Sequence, residues 1–203
     1  MRQIILASQS PRRKELLQAM GLTFDTLPSN FEEYLDDSRP AEQVAIELGL
    51  GKALEVASLN PEAIVIGSDL IVSLGNRQLG KAEDEADAKQ LLHDVTLVPN
   101  KLSCSIAVIC LAENIQLTGC ENAWVYFKPY DAEKTEAYLA TGDWKDKAGA
   151  YGVQSGAADL IDHVSGNFDT IMGLATHELV PLLQEVGIGA KVVTPASPVP
   201  VTD

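Results

Sequence analysis

Three cations, Arg12, Arg13 and Lys14, stand in what the sequence reads as the first turn of a helix, directly after Ser8-Gln9-Ser10-Pro11 and the apolar strand Ile4–Ala7. Ser10 suits an N-cap and Pro11 a first helical position. Cations at that end oppose the helix dipole by about 0.3–1 kcal/mol each, whereas an anion there meets free backbone N–H groups. The pattern points to a bound anion, and a solvated basic turn is the alternative. Asp69 raises a second question, because it lies inside the apolar run Ala63-Ile-Val-Ile-Gly-Ser-Asp-Leu-Ile-Val72. A carboxylate there is desolvated unless a cation or hydrogen-bond donors meet it. Gly67 suggests a bend or close backbone approach that brings Asp69 to the mouth of a cleft. A purely structural salt bridge is the competing reading.

Other residues carry weaker signals. Lys52 falls on a helix and Lys81 follows Gly80; taken singly, each reads as a surface lysine. Glu32 and Glu33 belong to the acidic loop Asn30–Asp37. The loop Lys147-Ala-Gly-Ala-Tyr-Gly-Val-Gln154 could shape a ligand wall or be an ordinary turn, and the Gln154 amide, both donor and acceptor, suits a nucleobase edge. His93, His163 and His177 lack zinc-ligand spacing, and there is no nucleophile elbow, P-loop or dinucleotide fingerprint.

These residues must be positioned by a mixed set of elements. The patterning predicts a helix from Pro11 to about Met20 ended by Gly21, a strand at Leu22–Leu27, and a helix from Pro40 to about Ser58. Strands follow at Ala63–Ile66 and Leu70–Leu74, broken at Gly67-Ser68-Asp69, with a turn at Gly75-Asn76-Arg77. A helix over Ala82–Val95, strands at Leu102–Leu111 and Ile115–Phe127, and a helix over Ala132–Ala140 come next. Ala157–Ile161 and Thr170–Leu174 flank a turn at Ser165-Gly166-Asn167, and a last helix spans Thr176–Val186. Intermixed strands and helices without repeats indicate an α/β domain with a long central sheet.

The 203 residues carry 15 Lys+Arg against 29 Asp+Glu, a net charge of -14. Such a field repels nucleic acid and anionic membranes, so a phosphate-rich ligand depends on a local cation cluster or a divalent metal. Cys104, Cys110 and Cys120 lack CxxC spacing and read as free thiols of a reducing compartment. With no signal peptide and no apolar stretch near the roughly 20 residues a bilayer requires, a cytoplasmic protein is expected.

Together the residues resemble the Maf family of nucleoside triphosphate pyrophosphatases. The resemblance runs from Ile4 to about Leu183 through Leu6-Ala-Ser-Gln-Ser-Pro-Arg-Arg13, Glu32-Glu33, Lys52-Ala53, Gly67-Ser-Asp69, Gly80-Lys81, Asp146-Lys-Ala-Gly-Ala-Tyr-Gly-Val-Gln154 and Gly173-Leu174. It implies an inosine triphosphate pyrophosphatase-like (Maf/Ham) α/β fold: an elongated mixed central sheet flanked by helices, with a cleft between two lobes. Residues 1–188 would form this domain and the proline-rich residues 189–203 a disordered tail. The implied reaction cleaves a nucleoside triphosphate into monophosphate and pyrophosphate, with Asp69 as proton acceptor and Ser8, Arg12, Arg13, Lys52 and Lys81 around the phosphates. Glu33 with Asp69 would hold a divalent Mg²⁺ or Mn²⁺, and a homodimer is expected.

Arg12, Leu70 and Gln154 occupy the positions tied to substrate choice, and the Arg and Gln forms resemble the dTTP/UTP branch. Leu70 replaces that branch's threonine, Ser68 its alanine, Ala82 the proline usual after Gly-Lys, and Thr96–Asn100 a Ser-Gly-(Arg/Lys)-Thr-His-like stretch. Base selectivity is therefore expected to be looser, with 7-methyl-GTP specificity as one alternative and a nucleotide-binding regulator of septum formation as another.

Overall fold

The apolar strand and cationic helix open the chain in the computed structural model, which describes residues 2–202. In order, the elements are β1 (Ile4–Leu6), α1 (Pro11–Ala19), β2 (Asp25–Thr26), α2 (Ala41–Leu59), β3 (Ile64–Leu74), β4 (Arg77–Leu79), α3 (Glu85–Asp94), β5 (Asn100–Cys110), β6 (Ile115–Phe127), α4 (Ala132–Thr141), β7 (Ile161–Ser165), α5 (Phe168–Met172), α6 (Thr176–Glu185) and β8 (Val201–Thr202). A 3-10 helix, Gly156–Leu160, leads into β7. The eight strands form one mixed sheet in the order β2-β1-β3-β5-β6-β7-β8, with β4 folded back onto β3. β1 is parallel to β2 and β3, β7 is parallel to β8, and the long central ladders β3–β5 and β5–β6 are antiparallel.

Strand alternation divides β3 between the two faces of the sheet. Ile64, Ile66 and Val72 join the larger one with Leu16, Leu17, Leu92, Cys104 and Ile106. Val65 packs under α2 with Ala53, Val56 and Ala57, and Ile71 packs with Val44, Ala45 and Leu48. A Cβ at Gly67 would clash with the Gly49 carbonyl and fall 2.8 Å from Ala53 Cβ, so the missing side chain lets α2 lie against the sheet. Cys104 and Cys110 are buried free thiols and Cys120 is half-buried. Among the described residues no helix is long and apolar enough to cross a membrane.

Several elements differ from the sequence pattern. β3 runs unbroken through Gly67-Ser68-Asp69, because Asp69 finds partners in Lys52 of α2 and Ser105 of β5. α3 starts at Glu85, where Asp84 caps it by accepting from Asp87 N–H at 2.8 Å. Of Leu22–Leu27, only Asp25–Thr26 pairs with β1. Around the Gly166 turn, the first arm is the 3-10 helix followed by β7, and Thr170–Met172 closes helix α5. Of the proline-rich tail, expected to be disordered, residues 199–202 are seated at the sheet edge. Val164 N–H donates to Pro200 O at 2.9 Å, Val201–Thr202 pairs with Val164–Ser165, and Val199 is buried. Proline is tolerated there because an edge segment need not donate from every residue.

Candidate active site

Asp69 projects from the middle of β3 towards α2, and α2 presents Lys52 to it. Their side chains form an ion pair, with Lys52 8% and Asp69 7% exposed. Lys52 Nζ also donates to Glu33 Oε1 at 2.5 Å, so one ammonium joins two carboxylates. Behind the pair, Asp69 N–H donates to Ser105 Oγ at 3.1 Å, and that hydroxyl donates to Ala45 O at 2.6 Å, fixing β3 to α2 and β5. Gly49 leaves room for this hydroxyl, which a Cβ would strike.

Glu33 reaches Lys52 because its loop is pinned at both ends. Phe31 lays its ring on Gly51, where a Cβ would fall 2.6 Å from the ring carbons, and Asn30 N–H donates to Glu55 Oε2 at 2.8 Å. At the other end, Asp36 N–H donates to Gln78 Oε1 at 3.0 Å and Gln78 N–H to Asp37 Oδ1 at 2.7 Å. Burial works to raise the Glu33 pKa. The Lys52 hydrogen bond and charge, aided by Lys81 and Arg13, outweigh it and hold the carboxyl below its usual value.

The cations stand opposite. Arg13 donates from Nε to Gly173 O at 2.8 Å and from Nη1 to Ser8 Oγ at 3.2 Å. Ser8 Oγ also accepts from Ser10 N–H at 3.2 Å, where Ser10 caps α1. Lys81 is bridged to Ala148, and Gly149 N–H donates to Gly80 O at 2.9 Å, which joins Lys81 to the loop carrying Gln154. In that loop Asp146 (φ +59°) and Ala150 (φ +61°) hold left-handed backbone, a strain of about 1–3 kcal/mol each that persists where the surroundings over-determine it. Among the described residues Arg12, Arg13 and Lys81 pair with no carboxylate.

All these groups line one cleft of about 1130 Å³. Ser8, Arg12, Arg13, Glu33, Lys52, Asp69, Leu70, Lys81 and Gln154 are on its walls, whereas Glu32 is exposed outside it. Leu70 projects from β3 opposite to Asp69, beside Gly173, and continues into an apolar wall with Val72, Leu79, Leu102 and Met172. Lys147 and Tyr151, from the loop expected to shape a ligand wall, line the cleft, whereas the sequence pattern did not mark Phe31 or the hydroxyl of Ser105 as parts of this site.

Residues 3–186 match the family model described as Maf-like protein. The chain belongs to the Maf family. This Maf protein is 37% identical over 187 residues to the dTTP/UTP pyrophosphatase of Aquifex aeolicus, an overlap of 91% of this chain and 96% of that protein. It is 36% identical over 188 residues to the dTTP/UTP pyrophosphatases of Bacillus cereus and Bacillus anthracis, each overlap covering 93% of this chain and 97% of the relative. The eight-stranded mixed sheet flanked by helices is the α/β architecture expected of Maf.

Two carboxylates of the Maf cleft, Asp69 and Glu33, are oxygen donors of the kind a small divalent cation takes. Among the described residues no three His, Cys, Asp or Glu side chains gather around a point, but Asp69 and Glu33 converge on one position, now spanned by Lys52. Mg²⁺ is commonly held by one or two carboxylates, with substrate phosphates and water completing its octahedron.

Proposed function

We propose that this Maf protein hydrolyses pyrimidine nucleoside triphosphates, dTTP and UTP foremost, to the monophosphate and pyrophosphate. The observation that carries the reading is one cleft in which a buried carboxylate, Asp69, faces cations that, among the described residues, pair with no carboxylate. The pyrimidine preference is supported by the relatives' names and by Arg12 and Gln154.

In this reading Ser8, Arg12, Arg13 and Lys81 hold the phosphate chain with its leaving group in line, since phosphoryl transfer asks the protein mainly for positioning and positive charge. Asp69 takes a proton from water as the water oxygen bonds to the α-phosphorus. The bond between that phosphorus and the α–β bridging oxygen breaks, and its electron pair leaves with pyrophosphate. Lys52 holds the Asp69 carboxylate in position through their ion pair, and stands ready to meet phosphate oxygen. Glu33 and Asp69 are the residues that would hold Mg²⁺ or Mn²⁺, which when bound supplies positive charge against the phosphate oxygens. Gln154 reads the base edge, and Leu70 gives the pocket an apolar wall.

A cytoplasmic location, a homodimer and residues 1–188 as the catalytic unit complete the reading; light scattering and cell fractionation test the first two. The deciding experiment is a panel of natural and modified triphosphates with Mg²⁺ or Mn²⁺. Pyrophosphate and dTMP released in equal amounts from dTTP are expected; orthophosphate release, or no turnover of any pyrimidine triphosphate, would overturn the reading.

A further inference from the structure

We infer that Ser68, buried behind the site, is a positioning residue that aims Arg13 through the Gly173 carbonyl. The inference rests on the reading of Arg13 as a phosphate ligand. Ser68 is fully buried, and strand alternation points it away from its neighbour Asp69. Its hydroxyl donates to Gly173 O at 2.9 Å, and the same oxygen accepts from Arg13 Nε at 2.8 Å. Gly173 caps α5 in left-handed backbone at φ +96°, a conformation that turns its carbonyl away from the helix and that glycine adopts without strain. The second fixed point of the guanidinium is Ser8 Oγ, 3.2 Å from Nη1. Among the described residues Nη2 has no protein acceptor, and Arg13 lines the cleft.

This arrangement has a physical purpose. A carbonyl oxygen offers two lone pairs, and here one donor comes from β3 and the other from α1. Arginine recognises phosphate through a rigid planar fork, so its value depends on the fork being aimed before the ligand arrives. With Ser68 in place, the strand that delivers Asp69 to one side of the sheet also sets the direction of Arg13 on the other. Removing the Ser68 hydroxyl leaves Arg13 its partner but frees that partner to turn. Because Ser68 itself touches no ligand, its effect must vanish when Arg13 can no longer use the carbonyl.

The test is a double-mutant cycle of Ser68→Ala and Arg13→Lys, read both by dTTP kcat/KM and by calorimetric binding of inorganic pyrophosphate. Ser68→Ala should weaken pyrophosphate binding and lower kcat/KM by about three- to tenfold, the range of one lost hydrogen bond. In the Arg13→Lys background, which lacks the Nε donor, the same change should do nothing further. Equal losses in both backgrounds would make Ser68 a buried structural hydroxyl and overturn the inference, as would a wild-type protein that binds no pyrophosphate. Should Ser68→Ala fold poorly, Ser68→Cys keeps the branching of the side chain with a bulkier atom and a much weaker donor; unchanged pyrophosphate affinity in it would be equally fatal. A protein that binds pyrophosphate but hydrolyses no triphosphate would sink the proposed function while leaving the calorimetric arm to decide on Ser68.

Discussion

Lys52 solves an electrostatic problem that Asp69 and Glu33 create for each other. Two carboxylates sharing a half-closed site repel, and burying one without a partner would cost several kcal/mol; the shared ammonium offsets both effects. Asp69→Asn keeps the shape and the Ser105 bond to the backbone but cannot accept a proton. We expect kcat for dTTP to fall about 10²–10⁴-fold, the range of a positioned general base, with pyrophosphate binding retained. A near-normal kcat by pyrophosphate-release assay would make Asp69 structural. Glu33 gives a pH prediction. Its carboxyl is held below the usual value, burial being outweighed by Lys52, so its pairing stabilises the folded state above about pH 4.3, the ordinary glutamate value, and fades as pH falls through the lower folded value. Urea midpoints of wild type and Glu33→Gln should differ by a constant amount above about pH 5 and converge in more acidic buffer. A gap that persists at pH 3 would mean that the Glu33 carboxylate is not what stabilises the loop.

At the scale of elements, the site depends on how closely α2 lies on β3. Gly67 and Gly49 set that distance, since a Cβ at Gly67 would strike the Gly49 carbonyl, which belongs to rigid helical backbone. Gly67→Ala should therefore lower stability by about 1–3 kcal/mol, as overpacking does. It should lower kcat/KM beyond what the stability loss explains, because Lys52 rides on the displaced helix. Urea denaturation and steady-state kinetics at a temperature where the variant is folded check this, and wild-type values in both would show the contact to be compliant. The sequence announced Gly67 as a close approach but misread its consequence: a buried aspartate looked like a strand break because its partners, Lys52 and Ser105, lie 17 residues before it and 36 after it. Likewise, the positions of α1, α2, β5 and β6 were legible from local periodicity. The 3-10 helix, the five-residue α5 and the edge pairing of β8 were not, because short elements are decided by tertiary packing rather than by propensity. The nine candidate residues could be named from motifs, whereas the seat of Phe31 on Gly51 and the Ser68–Gly173–Arg13 chain depend on contacts that no spacing encodes.

For the whole molecule, the governing quantity is charge. With 29 acids against 15 bases, the protein's overall charge repels polyanions, whereas Arg12, Arg13 and Lys81 face the cleft and, among the described residues, pair with no carboxylate. Even there the field is divided, because Lys52 is committed to Asp69 and Glu33. A triphosphate entering this cleft brings its own negative charge towards two carboxylates, and the free cations are too few to neutralise both. A divalent ion carried by the substrate reverses the sign of the contact between phosphate and carboxylate, and a bound cation is often the largest local charge in such a site. We therefore expect turnover of dTTP to vanish in excess EDTA and to return on titration with Mg²⁺ or Mn²⁺. Pyrophosphate affinity should also rise with the metal in wild type, and rise less in Glu33→Gln, because one of the two proposed carboxylate ligands is then gone. Full turnover in EDTA would show that the arginines and lysines of the cleft suffice alone. An equal metal response in Glu33→Gln would place the ion on the phosphates and Asp69 without Glu33.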